Sequence, residues 1–218
     1  MLYKAEEDYI KFIYEHKLST KEKVTVKDIA EYFSYSEQSV YEMIKKLQTK
    51  KYIKYKPYEG VTLLEKGYLE AVRMIRNHRI WEVFLGRYLG YSWDEVHEEA
   101  EKLEHAGSEK MLRKLYELLD RPETCQHGNA IPTFTKPFTD KLYNSLNKYD
   151  IGDIVVVRQV KDDTELLKYL TKINLKLSDS IEIINKYDVL KQIEIKVHNQ
   201  NIMMSDFTAK FIYVEKIF

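Results

Sequence analysis

The chain has 218 residues, which is enough for one large domain or for two or three small ones. Hydrophobic residues make up 44% and charged residues 32%, and the formal net charge is zero, as is ordinary for a globular protein. No apolar run approaches the roughly 20 residues of a membrane span, the start "MLYKAEEDYIKF" is unlike a signal peptide, and a lone cysteine cannot form an internal disulfide, so the composition favours a cytoplasmic protein.

The first half of the N-terminal region predicts three helices. Residues 5–17 place apolar side chains at helical spacing. Thr25, with Asp28 three residues later, is a capping-box-like start for a second helix. Ser36 can cap a third helix, which runs to about Thr49 and carries one apolar face. Two short amphipathic helices joined by a turn are typical of a helix-turn-helix.

A β-hairpin is predicted directly after these helices. The stretch "YIKYKPYEGVTLLEKG" alternates apolar or aromatic residues with polar ones around a Pro–Gly loop, from Tyr52 to about Leu64. Helix, turn, helix and hairpin, in that order, form a winged helix-turn-helix. Because the predicted wing is rich in lysine, the pattern indicates DNA binding.

The rest of the chain divides into a helical part and a strand-rich part. Helices are predicted from Glu65 to Leu89, from Trp93 to about His105, and over "AGSEKMLRKLYELLD". The stretch "RPETCQHGNAIPTFTKP" has no period and predicts a loop. After it, "IGDIVVVRQV", "SIEIINKYD", "KQIEIKVHN" and "KFIYVEKI" read as strands and "DDTELLKYLTKINL" as a short helix, so residues 150–218 predict a small barrel.

Charge is unevenly distributed along the chain. Residues 41–79 contain 10 Lys/Arg against 4 Asp/Glu, whereas residues 94–123 contain 5 Lys/Arg against 10 Asp/Glu. This order indicates a polyanion-binding segment followed by a part with a different role. Two solvated helix faces of opposite charge would give the same counts.

Potential metal ligands cluster in the helical part. At about 100° per residue, His97, Glu101, Glu104 and His105 fall within roughly a quarter turn of one helix. Imidazole with carboxylate suits Mn²⁺, Fe²⁺ and Zn²⁺. An acidic solvated face with incidental histidines is the alternative. His78 and Glu82 form a further i, i+4 pair, a spacing that is also common by chance.

Cys125 and His127 lie together in the predicted loop. A lone cysteine is most often a small buried hydrophobe. A cysteine–histidine catalytic pair is conceivable, but the sequence offers no oxyanion-hole motif and no third orienting group. A reversibly oxidised redox thiol and a pair of metal ligands are the other possibilities.

Taken together, these motifs resemble the DtxR/MntR family (diphtheria toxin repressor/manganese transport regulator). The resemblance runs through "EDYIKFIYE", "SVYEMIKKLQTKKYIKYKPYEGVTLLEKG", "NHRIWEVFL", "VHEEAEKLEH" and "CQHGNAIP". It implies a mainly α fold with a small β part: a winged helix-turn-helix DNA-binding domain in residues 1–72, a helical metal-binding and dimerisation domain in 73–140, and an SH3-like (FeoA-type) β-barrel in 150–218. The longer manganese-responsive branch is the most similar.

The resemblance also implies two metal sites per subunit. Asp8, Glu101, Glu104 and His105 match one site. The other uses His78, Glu82 and His97 in some members. In the longer manganese branch it resembles a site of Glu82, Cys125, His127 and a carboxylate from the C-terminal domain, for which Asp162 fits best and Asp163 is the alternative.

Some positions depart from the family pattern. Iron-responsive members often carry Cys where Glu101 stands and Met where Asp8 stands, and the oxygen ligands here favour Mn²⁺. Short manganese regulators have an extra carboxylate at the position of Lys11, so their paired-metal arrangement is in doubt. Glu37 and Gln38 replace expected prolines, so operator preference does not carry over.

The implied function is a manganese-dependent transcriptional repressor, a homodimer that binds operator DNA when metal-loaded and controls metal-uptake genes. Fe²⁺ is the alternative metal, and Zn²⁺ is possible in vitro. Early positions of the third helix are expected at bases and lysines at phosphates. The expected DNA contacts are Ser36, Gln38, Ser39, Tyr41, Glu42, Lys45, Lys46, Lys54 and Lys56. A thiol redox sensor using Cys125, and a metal-dependent enzyme or metal carrier, are the rival functions.

Overall fold

The computed structural model describes residues 2–20, 22–135 and 143–217. These residues form two compact units. The first contains residues 2–20, 22–78, 103–107 and 132–135, and the second contains 79–102, 108–131 and 143–217. The three-domain division expected from the sequence stays a prediction. Lys136 and Pro137, at the end of the predicted loop, lie outside the described residues.

The first unit begins with the predicted helices and hairpin. Its elements are α1 (Lys4–Thr20), α2 (Val26–Phe33), α3 (Glu37–Thr49), β1 (Ile53–Lys56) and β2 (Gly60–Leu63). Both predicted caps are confirmed. Thr25 and Asp28 form a reciprocal capping box at α2, and the Ser36 side chain accepts from the backbone N–H of Ser39 at the start of α3.

The hairpin is held against the preceding chain by a close backbone contact. Strands β1 and β2 pair antiparallel, with Ile53 opposite Leu63. The Val61 N–H donates to the Val24 carbonyl at 2.8 Å. Gly60 has a φ of +84°, and a Cβ there would lie 2.4 Å from the Val24 oxygen, so this position requires glycine. The wing is therefore fixed to the body of the unit.

One hydrophobic core joins α1 to α3. Ile10 and Ile13 of α1 pack with Ile44 and Leu47 of α3, and all four are at most 1% exposed. Burying each such side chain contributes roughly 1.5–3 kcal/mol. The helix that carries the expected ligand Asp8 therefore shares a core with the expected DNA-recognition helix.

Three further helices follow the wing: α4 (Glu65–Leu89), α5 (Val96–Leu103) and α6 (Glu109–Leu118). The predicted bounds of α4 are confirmed, and Ser108 caps α6. The helix predicted from Trp93 to His105 is shorter at both ends, because α5 begins at Val96 and ends at Leu103, where a turn follows. Glu104 and His105 therefore leave the helix, and the helical angles assumed for them do not apply.

The second unit contains a six-stranded antiparallel sheet, which agrees with the predicted SH3-like domain. The strand order is β3-β8-β4-β5-β6-β7. Its strands are β3 (Asn144–Ser145), β4 (Ile154–Val160), β5 (Ser180–Tyr187), β6 (Gln192–Val197), β7 (Gln200–Ser205) and β8 (Ile212–Lys216). Helix α7 (Thr164–Lys172) follows β4, and α8 (Asp206–Ala209) precedes β8.

Two of these strands, β3 and β7, were not predicted. Strand β3 has two residues, too few for an alternating pattern. Strand β7 follows β6 through a two-residue turn of His198 and Asn199, whose φ angles are 48° and 62°. Consecutive left-handed residues suit a tight hairpin, but a His–Asn pair is a weaker sequence signal than Asn–Gly. Cross-strand pairing therefore decided this element.

Candidate metal centres

A first cluster of potential metal ligands lies in the first unit. Asp8 belongs to α1, and Glu104 and His105 belong to the turn after Leu103. Their ligand atoms all lie within 4.8 Å of one another. His105 Nε2 is 2.9 Å from Asp8 Oδ1 and 3.6 Å from Glu104 Oε1. The fold thus brings together three of the four residues expected at this site.

Glu7 orients the imidazole of this cluster, and sequence reasoning missed it. Glu7 Oε2 lies 2.7 Å from His105 Nδ1, and Glu7 Oε1 accepts from the Arg73 guanidinium at 2.6 Å. A carboxylate on one ring nitrogen fixes the tautomer and aims the other nitrogen. The only signal in the sequence was the run of three acidic residues, Glu6 to Asp8.

Proton binding at His105 is strengthened by these carboxylates. Burial lowers the pKa of His105, but hydrogen bonds to Asp8 and Glu7 outweigh that effect and raise its pKa to about 9. The imidazole is therefore a cation at neutral pH in the metal-free chain. A metal cation that binds Nε2 has to displace this proton.

The two carboxylate oxygens of Glu104 contact different partners. Its Oε1 faces His105, while its Oε2 accepts from Lys11 Nζ at 2.6 Å and contacts His78 Nδ1 at 2.5 Å. Burial raises the pKa of Glu104, but the hydrogen bond from His78 and the charge of Lys11 outweigh burial and lower it. Glu104 therefore stays ionised although it is 2% exposed.

A second cluster lies in the second unit and consists of Glu82, Cys125 and His127. All three side chains are buried, and their ligand atoms lie within 4.8 Å of one another. His127 Nδ1 is 3.0 Å from Glu82 Oε1. His127 Nε2 lies 2.7 Å from the Trp93 carbonyl, which can only accept a hydrogen bond. Nε2 is therefore the donor, and Nδ1 is the nitrogen that can bind a metal.

Burial and charge set the protonation of this second cluster. Burial lowers the pKa of His127, but hydrogen bonds with Cys125 and Glu82 outweigh it and raise the pKa to about 12. Burial, together with the Glu82 carboxylate, raises the pKa of the Cys125 thiol. The metal-free cluster thus holds protons that a bound cation has to replace.

The loop that carries Cys125 and His127 is fixed on strand β4. The Val160 N–H donates to the His127 carbonyl at 3.0 Å. Gly128 has a φ of +79°, and a Cβ there would lie 2.0 Å from the Arg158 carbonyl oxygen. Only glycine permits so close an approach in this backbone conformation. These backbone contacts therefore fix the positions of the Cys125 thiol and the His127 imidazole in the sequence "CQHGN".

Asp162 lies beside the second cluster, whereas Asp163 caps a helix. Asp162 Oδ2 lies 2.8 Å from His97 Nδ1 and 3.5 Å from His127 Nδ1. The Asp163 side chain instead accepts from the Leu166 N–H and N-caps α7. The geometry therefore favours Asp162 over Asp163 as the carboxylate of the C-terminal domain.

Among the remaining expected ligands, His97 offers a ring nitrogen within 4.8 Å of ligand atoms of Glu82 and Asp162, so these three side chains of the second unit also form a group that could hold a metal. His78 lies in the first unit, bonded to Glu104 as described above. The Glu101 side chain lies in the second unit and is 46% exposed, with Oε1 3.4 Å from His97 Nε2. That contact agrees with the i, i+4 spacing of the two residues on α5.

The donor chemistry of both clusters fits a divalent cation. The first offers two carboxylates and one imidazole, which suit Mn²⁺ or Fe²⁺. The second adds a thiol, which is a softer ligand. Because Glu82 and Glu104 are ionisable groups at most 2% exposed, a nearby cation would compensate their buried charge.

The expected DNA contacts lie on α3 and the wing. Gln38 donates to Glu42 at 3.3 Å, and Ser36 caps the helix. Tyr41 packs edge-on to Tyr55. Three of the four lysines pair with carboxylates: Lys45 with Glu42, Lys46 with Glu6, and Lys56 with Glu59. Lys54 and Ser39 are exposed.

Among the described residues, no helix is long and apolar enough to span a membrane.

Comparison with known proteins places these features in a family. Residues 1–61 match the family described as "Iron dependent repressor, N-terminal DNA binding domain". Residues 64–133 match "Iron dependent repressor, metal binding and dimerisation domain", and residues 144–216 match "FeoA domain". The three matches follow one another along the chain in the order of the predicted domains.

Individual relatives agree with these matches. The HTH-type transcriptional regulator MntR of Geobacillus kaustophilus is 34% identical over 113 residues, which are 52% of this chain and 79% of that protein. The iron-dependent repressor IdeR of Mycobacterium tuberculosis is 34% identical over 104 residues, 48% of this chain and only 45% of IdeR. The solved structure of the manganese regulator SloR is 34% identical, with a TM-score of 0.82 over 97% of this chain and 98% of SloR. The chain belongs to the DtxR/MntR family of metal-dependent transcriptional repressors.

Proposed function

We propose that this chain is a manganese-activated repressor that binds operator double-stranded DNA as a homodimer and controls metal-uptake genes. The observation that carries the proposal is the cluster of Asp8, Glu104 and His105. It joins the helix that shares a core with α3 to the turn after α5, and its donor atoms are oxygen and nitrogen without sulfur. Hard oxygen donors favour Mn²⁺ over softer cations.

The activating step follows from the charges at this cluster. In the metal-free chain, the His105 imidazolium carries the positive charge between Asp8 and Glu7. Asp8 and Glu104 would hold a divalent cation, which would supply two positive charges in place of that one proton. As a stronger common partner of both carboxylates, the cation would favour one arrangement of α1 and, through the shared core, of α3. This is a population shift driven by differential affinity.

We propose two metal sites in each subunit. The first consists of Asp8, Glu104 and His105. The second consists of Glu82, Cys125, His127 and Asp162. In this assignment His97 orients Asp162 through the 2.8 Å contact rather than binding metal, and His78 supports Glu104.

The proposed DNA surface combines the start of α3 with the wing. Gln38, Ser39, Tyr41 and Glu42 lie in the early turns of α3, which contact bases in helix-turn-helix proteins. Ser36 fixes that helix start as its N-cap. On the wing, Lys54 and Lys56 would contact phosphates, and Lys45 would do so on α3, which predicts salt-dependent affinity.

The proposed dimer contact uses exposed apolar residues of the helical part. Tyr88, Leu89 and Leu118 are 56%, 57% and 59% exposed, and Met111 is 41% exposed. Exposed apolar side chains mark an interaction surface where they form one contiguous patch. The match of residues 64–133 to a metal-binding and dimerisation domain supports a second copy as the partner.

The test uses a DNA duplex recovered by selection from a random library with the Mn²⁺-loaded full chain. Fluorescence anisotropy then follows binding while Mn²⁺, Fe²⁺ (under anaerobic conditions) or Zn²⁺ is titrated in parallel. Mn²⁺ is expected to support binding, and Glu104→Ala and His105→Ala to abolish its effect without changing the dimer seen in gel filtration. The matched controls are Glu109→Ala and His198→Ala, at exposed sites outside both clusters.

Two results would contradict parts of this proposal. An unchanged Mn²⁺ response in both cluster variants would remove the first site from the mechanism. A response to Fe²⁺ at a lower free concentration than Mn²⁺ would favour the iron-dependent alternative, for which the matches to iron-dependent repressors provide support.

The structure weighs against the rival thiol redox sensor. Such a sensor needs an accessible thiol with a low pKa. Cys125 is 4% exposed, and burial raises the pKa of its thiol. We therefore expect DNA binding by the metal-free chain to be indifferent to peroxide. A peroxide response that ignores added metal would restore the redox function.

A further inference from the structure

Glu6 is a buried carboxylate held by two lysines of the recognition helix region. It lies in the first turn of α1 and has no exposed surface. Lys50 Nζ donates to both of its oxygens, at 2.7 and 2.9 Å, and Lys46 Nζ lies 3.0 Å from Oε1. The Tyr3 N–H donates to Oε2 at 2.9 Å. Every one of these partners lies within the first unit.

Glu6 also belongs to a run of three acidic residues that contact different parts of the unit. Glu7 contacts His105 and Arg73, and Asp8 contacts His105. Glu6 alone of the three contacts the end of α3. Because the three residues belong to one helical turn of α1, a shift of Asp8 would move Glu6 and, through its ion pairs, Lys46 and Lys50.

We propose that Glu6 is a positioning residue that links the Asp8 metal site to the recognition helix and keeps Lys46 and Lys50 away from DNA phosphates. The proposal rests on the metal-activated DNA binding proposed above. It assigns Lys46 a different role from the phosphate contact that its position in the sequence suggested. It also gives the metal site a route to α3 by direct ion pairs, in addition to the shared hydrophobic core.

The charge environment separates Lys46 from the wing lysine Lys54. Lys46 and Lys50 share a carboxylate from which water is excluded, so much of their charge is compensated. Lys54 is exposed on β1, and within the described part of the chain it is paired with no carboxylate. The two lysines should therefore differ in their contribution to the salt dependence of DNA binding.

The first experiment compares Lys46→Gln with Lys54→Gln as a matched pair. For the Mn²⁺-loaded full chain, the affinity for the selected duplex is measured by anisotropy over a series of salt concentrations. A lysine that neutralises one phosphate contributes about 0.9 to the slope of log K against log salt. Lys54→Gln is expected to lower the slope by about that amount, and Lys46→Gln to leave it unchanged. An equal loss of slope in Lys46→Gln would overturn the proposal.

The second experiment tests the link to the metal site with Glu6→Gln. Mn²⁺ affinity, measured by the EPR signal of free Mn²⁺, is expected to stay within about twofold of the parent. The Mn²⁺-induced gain in DNA affinity is expected to fall by at least about fivefold, the lower end of the usual range of coupling between sites. The salt slope is expected to steepen as Lys46 and Lys50 are released. A merely structural role for Glu6 would change neither the slope nor the ratio of these affinities.

The outcomes separate this inference from the proposed function. A parent-like gain and a parent-like slope in Glu6→Gln would overturn the inference while metal-activated binding stands. Absence of any Mn²⁺-induced gain in the parent chain would instead remove the proposed function. If circular dichroism shows that Glu6→Gln does not fold, the Lys46→Gln and Lys54→Gln pair decides.

Discussion

Metal binding at the first site should depend on pH through His105. Hydrogen bonds to Asp8 and Glu7 raise the pKa of this imidazole to about 9 despite burial. A metal-bound imidazole nitrogen cannot keep its proton. Below pH 9 the cation therefore competes with a proton, and the apparent affinity for metal falls as the solution becomes more acidic.

The size of this effect follows from the distance between the pKa and the working pH. At pH 7, about two units below this pKa, His105 must lose its proton before it can bind a metal. This requirement weakens the apparent metal affinity roughly 100-fold, or by about 2.7 kcal/mol. For an imidazole with the ordinary pKa of 6.5, proton competition at pH 7 would weaken metal affinity by less than about a factor of two. We expect Mn²⁺ affinity at the first site to rise about tenfold per pH unit from pH 7 and to level off near pH 9.

Calorimetric titration in buffers of different ionisation enthalpy counts the protons released on binding. The informative variant is Glu7→Gln, which removes one of the two carboxylates on His105 but keeps all three ligands of the first cluster. Fewer protons should then be released at pH 8, and affinity should level off at a lower pH. Comparing the variant with the parent cancels the protons of the second site. His198→Gln, at a half-exposed histidine paired with Asp179, is the control.

Two results would refute this reasoning. One is a Mn²⁺ affinity that does not change between pH 7 and pH 8.5. The other is equal proton release in the parent and in Glu7→Gln. The stability of the metal-free chain should also depend on pH through His105. Because the folded pKa of His105 is raised, its ion pairs stabilise the fold fully below pH 6.5, and this contribution is lost as the pH rises through 9.

Three other predictions concern single sites. Cys125→Ser should weaken metal binding at the second site more than at the first; two unaltered affinities in calorimetry would contradict it. Gly128→Ala should cost about 1–3 kcal/mol in urea unfolding and weaken the second site, because its Cβ would collide with the Arg158 carbonyl; parent-like unfolding would count against it. Burial raises the pKa of Glu6, but hydrogen bonds from Lys50 outweigh burial and lower it to about 2. The ion pairs of Glu6 should therefore stabilise the fold above pH 4.5, and this contribution should be lost as the pH falls through 2. Glu6→Gln should accordingly lose less stability in acid than the parent.

The predicted elements that agree with the structure share a local cause. The caps at Thr25 and Ser36 and the long helix α4 depend on residues within a few positions of one another. The short helix α5 and the strand β7 depended on distant partners. Ending α5 at Leu103 allows Glu104 to turn toward Lys11, and β7 forms because β6 offers it an edge.

The sequence indicates which types of side chain are candidate ligands, but not how they are grouped. The family resemblance favours Asp162 and leaves Asp163 as the alternative. The N-cap hydrogen bond of α7 occupies Asp163 and leaves Asp162 beside His97 and His127. The carboxylates Glu6 and Glu7 carried no spacing signal, because their partners Lys50 and His105 lie 44 and 98 residues away.

The sequence by itself determined the winged helix-turn-helix and the family, and it indicated the types of candidate metal ligand, because periodicity, capping and motif order depend on residues close together in the chain. Only the tertiary structure decided which carboxylate holds which imidazole, how Glu104 is divided between Lys11 and His105, and that Glu6 binds lysines of the recognition helix region. These contacts join segments far apart in the chain. Their charge and pKa arise from burial and proximity, which exist only once the chain is folded.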